Sequence, residues 1–338
     1  MLYISLLLGI LPTYVAAITS QFTTSSKRGL IYIPNSDFPG DNKIWIREGS
    51  DLTWYYNYKM YPNSEYLNDT SLEFIPMLWG APSSFSDTTF LENVTAQLVD
   101  GRNITYAMGF NEPDNTADTG GSNINASAAA RYWKKQMEPL RKLGVSLGAP
   151  AVTGGSTGFE WLSNFTDACD GGCNFDFIPV HWYGSFDGLS SHVSDVMEIY
   201  PNKTIWVTEF ALDNSDLNET QGFFQTAVDY MDKNEIITHY SYFGSFRSFT
   251  SNVGINVAML NSFGNLTDIG SWYLGGNATG VKPDNVTVTP THTVAPSTAT
   301  YTVPALVTKL SGARTIPTPS FLGVLGLSIS AMILSCLG

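Results

Sequence analysis

The run Thr105-Tyr106-Ala107-Met108-Gly109-Phe110 is mostly apolar and ends abruptly in Asn111-Glu112-Pro113-Asp114. Such a run reads as a buried strand. Pro113 has no N–H to give to a ladder, so the strand must stop beside it. Glu112 is thereby set at the C-terminal end of a strand, where parallel α/β barrels carry their reactive side chains. Alone it is ambiguous, because a charge at a strand end often does no more than meet solvent.

The pattern recurs. Thr204-Ile205-Trp206-Val207-Thr208-Glu209-Phe210-Ala211 is a second apolar run that delivers a glutamate near its end. Two strand-end carboxylates can face each other across one barrel mouth. Cleavage of a glycosidic bond needs such a pair. One carboxyl stays protonated to serve the leaving oxygen, and the other is ionised to attack carbon or activate water.

Outward from these two runs, eight buried strands can be placed, at 29–33, 53–56, 73–78, 105–110, 146–151, 176–181, 205–208 and 237–243. Helical patterns lie between several of them. The clearest spans 127–143, with Asn125 or Ser127 to cap it, Gly144 to end it and Pro139 to kink it. Residues 193–200 and 222–231 also have helical spacing. Alternating strands and helices in one stretch of about 250 residues predict an α/β fold, a (β/α)8 TIM barrel.

The strand ends carry more than carboxylates. Trp54-Tyr55-Tyr56-Asn57-Tyr58 closes the second, Trp79-Gly80 the third, His181-Trp182-Tyr183-Gly184 the sixth and Tyr240-Ser241-Tyr242-Phe243 the eighth. Aromatic faces stack on the apolar faces of sugar rings, and amides and hydroxyls match their hydroxyls. Any one of these rings is as well suited to core packing. His181 can orient a glutamate or a substrate hydroxyl, or be a hydrogen-bonded structural histidine. No cofactor or metal is expected. Asp213-Asn214-Ser215-Asp216 lacks the glycine and terminal glutamate of a calcium loop, and the chain has neither a phosphate loop nor a Gly-x-Ser-x-Gly elbow.

Five motifs in this order resemble glycoside hydrolase family 128, the fungal β-1,3-glucanases also called alkali-sensitive-linkage-protein-like. They are Trp54-Tyr55-Tyr56-Asn57, Phe74-Ile75-Pro76-Met77-Leu78-Trp79-Gly80, Gly109-Phe110-Asn111-Glu112-Pro113-Asp114, Phe177-Ile178-Pro179-Val180-His181-Trp182-Tyr183-Gly184 and Trp206-Val207-Thr208-Glu209-Phe210-Ala211. The resemblance covers about residues 29–274. It implies a retaining endo-β-1,3-glucanase in which Glu112 is acid/base and Glu209 nucleophile. Asn111 would hydrogen-bond the sugar 2-hydroxyl, and Trp54, Asn57, Trp79, His181, Trp182, Tyr183 and Tyr242 are candidates for binding the glucan. Glu112 is then expected to have a raised pKa, and Glu209 to stay ionised. Tyr58 departs from the pattern, which has tryptophan beside Asn57. A wall-remodelling transglycosylase, a non-catalytic glucan-binding protein and a structural mannoprotein with the barrel as spacer are the competing readings. Both glutamates are intact, and the last two readings need neither.

The ends read as removable. Residues 1–17 form an apolar run closing on Val15-Ala16-Ala17, the pattern of a signal peptide, although a basic start is missing and a short buried helix is the alternative. Residues 18–276 would be the catalytic domain and 277–313 a Thr/Pro/Ser-rich stalk. Residues 314–338, behind the small triplet Ser311-Gly312-Ala313, resemble a GPI signal with Ser311 or Gly312 as attachment point. A single transmembrane anchor would instead be followed by basic residues. Ten Asn-x-Ser/Thr sequons, at Asn68, Asn93, Asn103, Asn125, Asn164, Asn202, Asn218, Asn265, Asn277 and Asn285, fit a secreted route. Cys336 falls in the tail, which leaves Cys169 and Cys173 as an even pair for a local disulfide. The protein is thus expected at the cell surface or wall, held to the membrane by a lipid anchor, and monomeric. A net charge of −13 argues against a nucleic-acid partner, and 14% charged against 13% aromatic residues favours neutral ring-shaped ligands.

Overall fold

The computed structural model describes residues 24–290 apart from 69 and 70. The expected signal peptide, the attachment residues Ser311 and Gly312, and the apolar tail lie outside the described residues. Eight strands are present: β1 (Arg28–Ile31), β2 (Trp54–Tyr56), β3 (Glu73–Phe74), β4 (Tyr106–Met108), β5 (Ser146–Gly148), β6 (Phe177–Tyr183), β7 (Thr204–Ala211) and β8 (Ile237–Tyr242). All pair in parallel, in the order β3-β2-β1-β8-β7-β6-β5-β4. The two ends of this sheet meet at a bridge between Met77 and Met108, where Met108 N–H donates to Pro76 O and Leu78 N–H donates to Met108 O. The sheet therefore closes just past β3, and the architecture is the expected (β/α)8 barrel.

The helices are α1 (Thr89–Val99), α2 (Ala126–Gln136), α3 (Glu138–Arg141), α4 (Ser156–Cys169), α5 (Phe186–Ile199), α6 (Leu217–Lys233) and α7 (Asp268–Tyr273). Asn125 caps α2, its side chain accepting from the N–H groups of Ser127 and Ala128. The predicted kink is a full break at Met137. Pro139 has no N–H to carry the helical ladder onward, so the chain restarts as α3 with proline in its first turn. Trp133, Met137 and Leu140 are buried on one face, as their spacing requires.

Hydrophobic packing forms two layers. Outside the strands, helix faces cover residues such as Ile178, Val180, Val207 and Phe210. Inside the barrel sit Ile31, Trp54, Tyr56, Ile75, Met77, Met108, Phe177 and Trp206. Trp206 stacks on Phe177 at 4.1 Å and on His239 at 3.7 Å, and Trp54 leans on Trp206 at 5.2 Å. Gly29 makes room for this floor, since a Cβ there would fall 2.1 Å from the Trp54 ring.

Cys169, the last residue of α4, is disulfide-bonded to Cys173 in the turn before β6. All the sequon asparagines are exposed except Asn93, which is half-buried. No helix among the described residues is long and apolar enough to cross a membrane. The chain after Gly276 keeps touching the barrel. Ser271 donates to Asn277 O, and Ser248 donates to Asp284 O. The folded unit thus runs past the boundary expected at 276.

Candidate active site

Glu112 and Glu209 meet at the C-terminal mouth of the barrel. Glu112 stands just beyond β4, its N–H donating to Ala151 O at the exit of β5. Its φ of 39° is left-handed, where a non-glycine residue is uncommon. A knot of loop bonds holds it there. Asn115 N–H donates to Glu112 O, and Ser122 N–H to Asn111 O and Glu112 O. Asp114 accepts from the N–H and hydroxyl of Thr153, tying this loop to the one after β5.

Glu209 owes its direction to an irregularity. Along β7, Ile205 and Val207 face the helices and Trp206 faces inward. Strict alternation would turn Glu209 outward. The register with β6 shifts, however: Val180 pairs with Val207, but His181 pairs with Glu209. Thr208 is the extra residue of a β-bulge, and everything after it changes face. Its carbonyl takes hydrogen bonds from Tyr56 Oη at 2.9 Å and Ser241 Oγ at 2.6 Å.

All four carboxylate oxygens are engaged. Glu112 Oε1 meets His181 Nδ1 at 2.9 Å, and Asn115 Nδ2 donates to Glu112 Oε2 at 3.2 Å. Tyr58 Oη donates to Glu209 Oε1 at 2.8 Å, and Tyr183 Oη donates to Oε2 at 2.7 Å. His181 Nδ1 also lies 3.6 Å from Glu209 Oε2. One donor atom each from Glu112, His181 and Glu209 falls within 4.8 Å of the others, close enough to hold a metal ion. The partners these atoms already have are one another, Asn115 and the tyrosines.

The electrostatics reverse the expectation for the glutamates. Burial works to raise the pKa of Glu112, but the His181 hydrogen bond and charge, with Asn115, hold it below the ordinary carboxylate value. Burial raises the pKa of Glu209. The charge of His181 opposes this, the Glu112 charge adds to it, and the two tyrosine hydroxyls offset only part. His181 is itself raised: burial disfavours its charge, but Glu209 and Glu112 on either side outweigh that. The trio thus shifts Glu112 towards its ionised form and His181 towards its charged form, whereas Glu209 gives up its proton less readily than a free carboxyl. His181 Nε2 is buried without a hydrogen-bond partner.

The remaining predicted residues divide. Asn111 is buried at the site; its Nδ2 donates to Gly120 O at 3.2 Å, and its Oδ1 is buried with no partner. Trp79 stays part-exposed and packs on the interior cluster, as do Ile33, Tyr58 and Phe243. Four residues are placed elsewhere. Trp54 belongs to the floor, 2% exposed, its indole donating to Lys27 O. Asn57 spends its side chain on its own turn, donating to Tyr61 O and accepting from Lys59 N–H. Trp182 stacks on His192 of α5 and donates to Ser185 O; Gly188 admits it, since a Cβ there would lie 2.1 Å from the ring. Tyr242 is 1% exposed and packs against Phe224 of α6 and Tyr273 of α7.

Tyr58, Asn115 and Phe243 are the site residues to which sequence reasoning assigns no role. Phe243 lies 5.6 Å from Tyr183, edge to face, at the open end of the site. Alternation along β8 could have found it, because His239, Ser241 and Phe243 share the inward face.

A parallel barrel with two buried carboxylates closing on each other at its mouth is the architecture of a glycoside hydrolase. The chain belongs to the family described as glycosyl hydrolase catalytic core, which matches residues 29–273. It is 31% identical over 261 residues to alkali-sensitive linkage protein 1 of Schizosaccharomyces pombe, covering 75% of this chain and 45% of that one. The chain thus spans less than half the length of this curated relative. Among solved structures it is similar to a curdlan-specific exo-β-1,3-glucanase of glycoside hydrolase family 128 from Blastomyces gilchristii, in complex with glucose (28% identity, 75% of this chain and 99% of that one, TM-score 0.59). It is also similar to an endo-β-1,3-glucanase of the same family from Lentinula edodes (25% identity, 73% and 99%, TM-score 0.57).

Proposed function

We propose that this protein is a retaining β-1,3-glucanase of the cell surface, with Glu209 as nucleophile and Glu112 as acid/base. The observation that carries this reading is the closeness of the pair, one oxygen of each carboxyl lying within 4.8 Å of one of the other. Retaining pairs stand about 5–5.5 Å apart, whereas inverting pairs keep roughly 6.5–9.5 Å for a water. The β-1,3-glucan substrate is supported by the likeness to the two family 128 β-1,3-glucanases.

The proton must be on Glu112 when the leaving oxygen departs. His181 Nδ1–H is 2.9 Å from Glu112 Oε1 and is the proton nearest to hand. Passing it across leaves a neutral His181 and a protonated Glu112. It also removes the Glu112 charge that disfavours an ionised Glu209. Glu209 then attacks the anomeric carbon while Glu112 protonates the leaving glucan. In the second half Glu112 takes a proton from water as water displaces Glu209. The unpartnered Asn111 Oδ1 is an acceptor suited to a sugar hydroxyl.

Glu209→Gln is expected to reduce turnover of every substrate to background. Glu112→Gln is expected to lose about 10²–10⁴-fold on glucan but far less on activated aryl glycosides, with azide restoring its second step. Full activity in either variant contradicts the assignment. Endo action, the expectation from sequence, predicts oligosaccharides as first products from laminarin; glucose as the first product would mean exo action.

A further inference from the structure

We propose that Tyr58 is a third catalytic residue, one that donates to the Glu209 carboxylate as it is released from the glycosyl-enzyme. The proposal rests on Glu209 being the nucleophile. Its observation is the division of the two Glu209 oxygens between two tyrosines, Oε1 to Tyr58 and Oε2 to Tyr183.

Tyr183 comes from β6, next to β7. Tyr58 comes from the loop after β2, and β1 and β8 lie between that strand and Glu209. Three features aim it there. Its φ of 58° is left-handed, which is rare for a bulky side chain and persists where surroundings enforce it. The enforcing group is Asn57, buried at 4% exposure, whose amide bonds to both Lys59 and Tyr61 across the turn. The Tyr58 ring also meets Tyr56 edge to face at 5.1 Å. Tyr56 in turn donates to the carbonyl of Thr208, the residue before Glu209. Hydroxyl and carboxylate are thus fixed to the same point of β7.

Only one oxygen of Glu209 can bond to the anomeric carbon. The other becomes the carbonyl of the ester, so each tyrosine faces one kind of oxygen. In the first step the carboxylate loses its charge, and hydrogen bonds to it weaken. In the second step water attacks the anomeric carbon. The bond from that carbon to Glu209 breaks, its electron pair returns to the carboxylate, and the water proton goes to Glu112. Charge then builds on Glu209 against the waiting Tyr58 hydroxyl, and a donor to a charged acceptor is roughly twice as strong as one to a neutral acceptor. Tyr58 therefore favours release of the glycosyl-enzyme far more than its formation.

The test is Tyr58→Phe, assayed on an activated aryl laminarioside for which the second step limits turnover. Loss of kcat by tenfold or more, with kcat/KM changed less than threefold and KM lowered in step, is expected. Intact mass measurement should show accumulated glycosyl-enzyme. Tyr58→His, which restores a ring donor, should recover part of kcat. Equal losses in kcat and kcat/KM, no loss, or a His variant no better than Phe would overturn the proposal. A Phe variant that fails to fold would leave the His variant to be judged by the same kcat-against-kcat/KM split. In parallel, wild-type enzyme is treated with a 2-deoxy-2-fluoro glycosyl fluoride. A label absent from Glu209 means that the reading of the nucleophile has failed. A label on Glu209 with unsplit Tyr58→Phe kinetics means that only the role of Tyr58 has failed.

Discussion

Two residues at the barrel mouth hold backbone conformations that their side chains disfavour, Glu112 at φ 39° and Tyr58 at φ 58°. One belongs to the reacting pair and the other donates to its partner Glu209, and strain of this kind costs on the order of 1–3 kcal/mol per residue. Below that strained mouth, His239 makes the stability of the barrel floor depend on pH. Burial and the nearby Lys27 charge push the His239 pKa down to about 4, so the ring stays neutral in its stack on Trp206. The sign follows from linkage. In the unfolded chain histidine titrates near pH 6.5. Above that value neither state is protonated, and the full stability is present. As pH falls from about 6.5 to about 4, the unfolded state binds a proton that the folded state refuses, and stability drops by at most about 3 kcal/mol. Melting temperature at pH 7 and pH 4 should therefore fall less in His239→Phe than in wild type. Parallel acid slopes in the two proteins would contradict this.

At the scale of elements, all eight strands and the barrel were readable because each buried strand is a compact apolar run. Direction was harder to read. Alternation along β6 places Phe177, Pro179, His181 and Tyr183 inward and Trp182 outward, so Trp182 and Tyr242 were open to correction from the sequence itself. Trp54 does face inward, but two residues deeper than Tyr56, and depth in a barrel leaves no mark in a sequence. The bulge at Thr208 is the opposite case. Strict alternation turns Glu209 away from the site, and only its pairing with His181 reveals the added residue. Helices α1 and α4 were missed because polar residues such as Asn93, Gln97, Ser163 and Asn164 interrupt their apolar pattern. Tyr58 stands out in the sequence only as a departure from the family pattern, because its role depends on a left-handed turn and a reach past two strands.

On the scale of the whole molecule, the reactive centre lies at the C-terminal face and nine of ten sequon asparagines are exposed. The net charge of −13 and the exposed sequons are what the proposed cell-surface role would call for. Anchoring there through a lipid is a proposal from the order of small triplet, spacer and apolar tail. Phospholipase treatment of cells should release the protein into the aqueous phase; retention in detergent with an intact C-terminus would contradict a lipid anchor. Double displacement is the mechanism proposed for the two close glutamates. Its most direct measurement is proton NMR of the first products from laminarin, recorded before mutarotation. The new reducing end should appear as the β-anomer and decay to the α/β mixture. An α-anomer appearing first would mean inversion and would contradict double displacement.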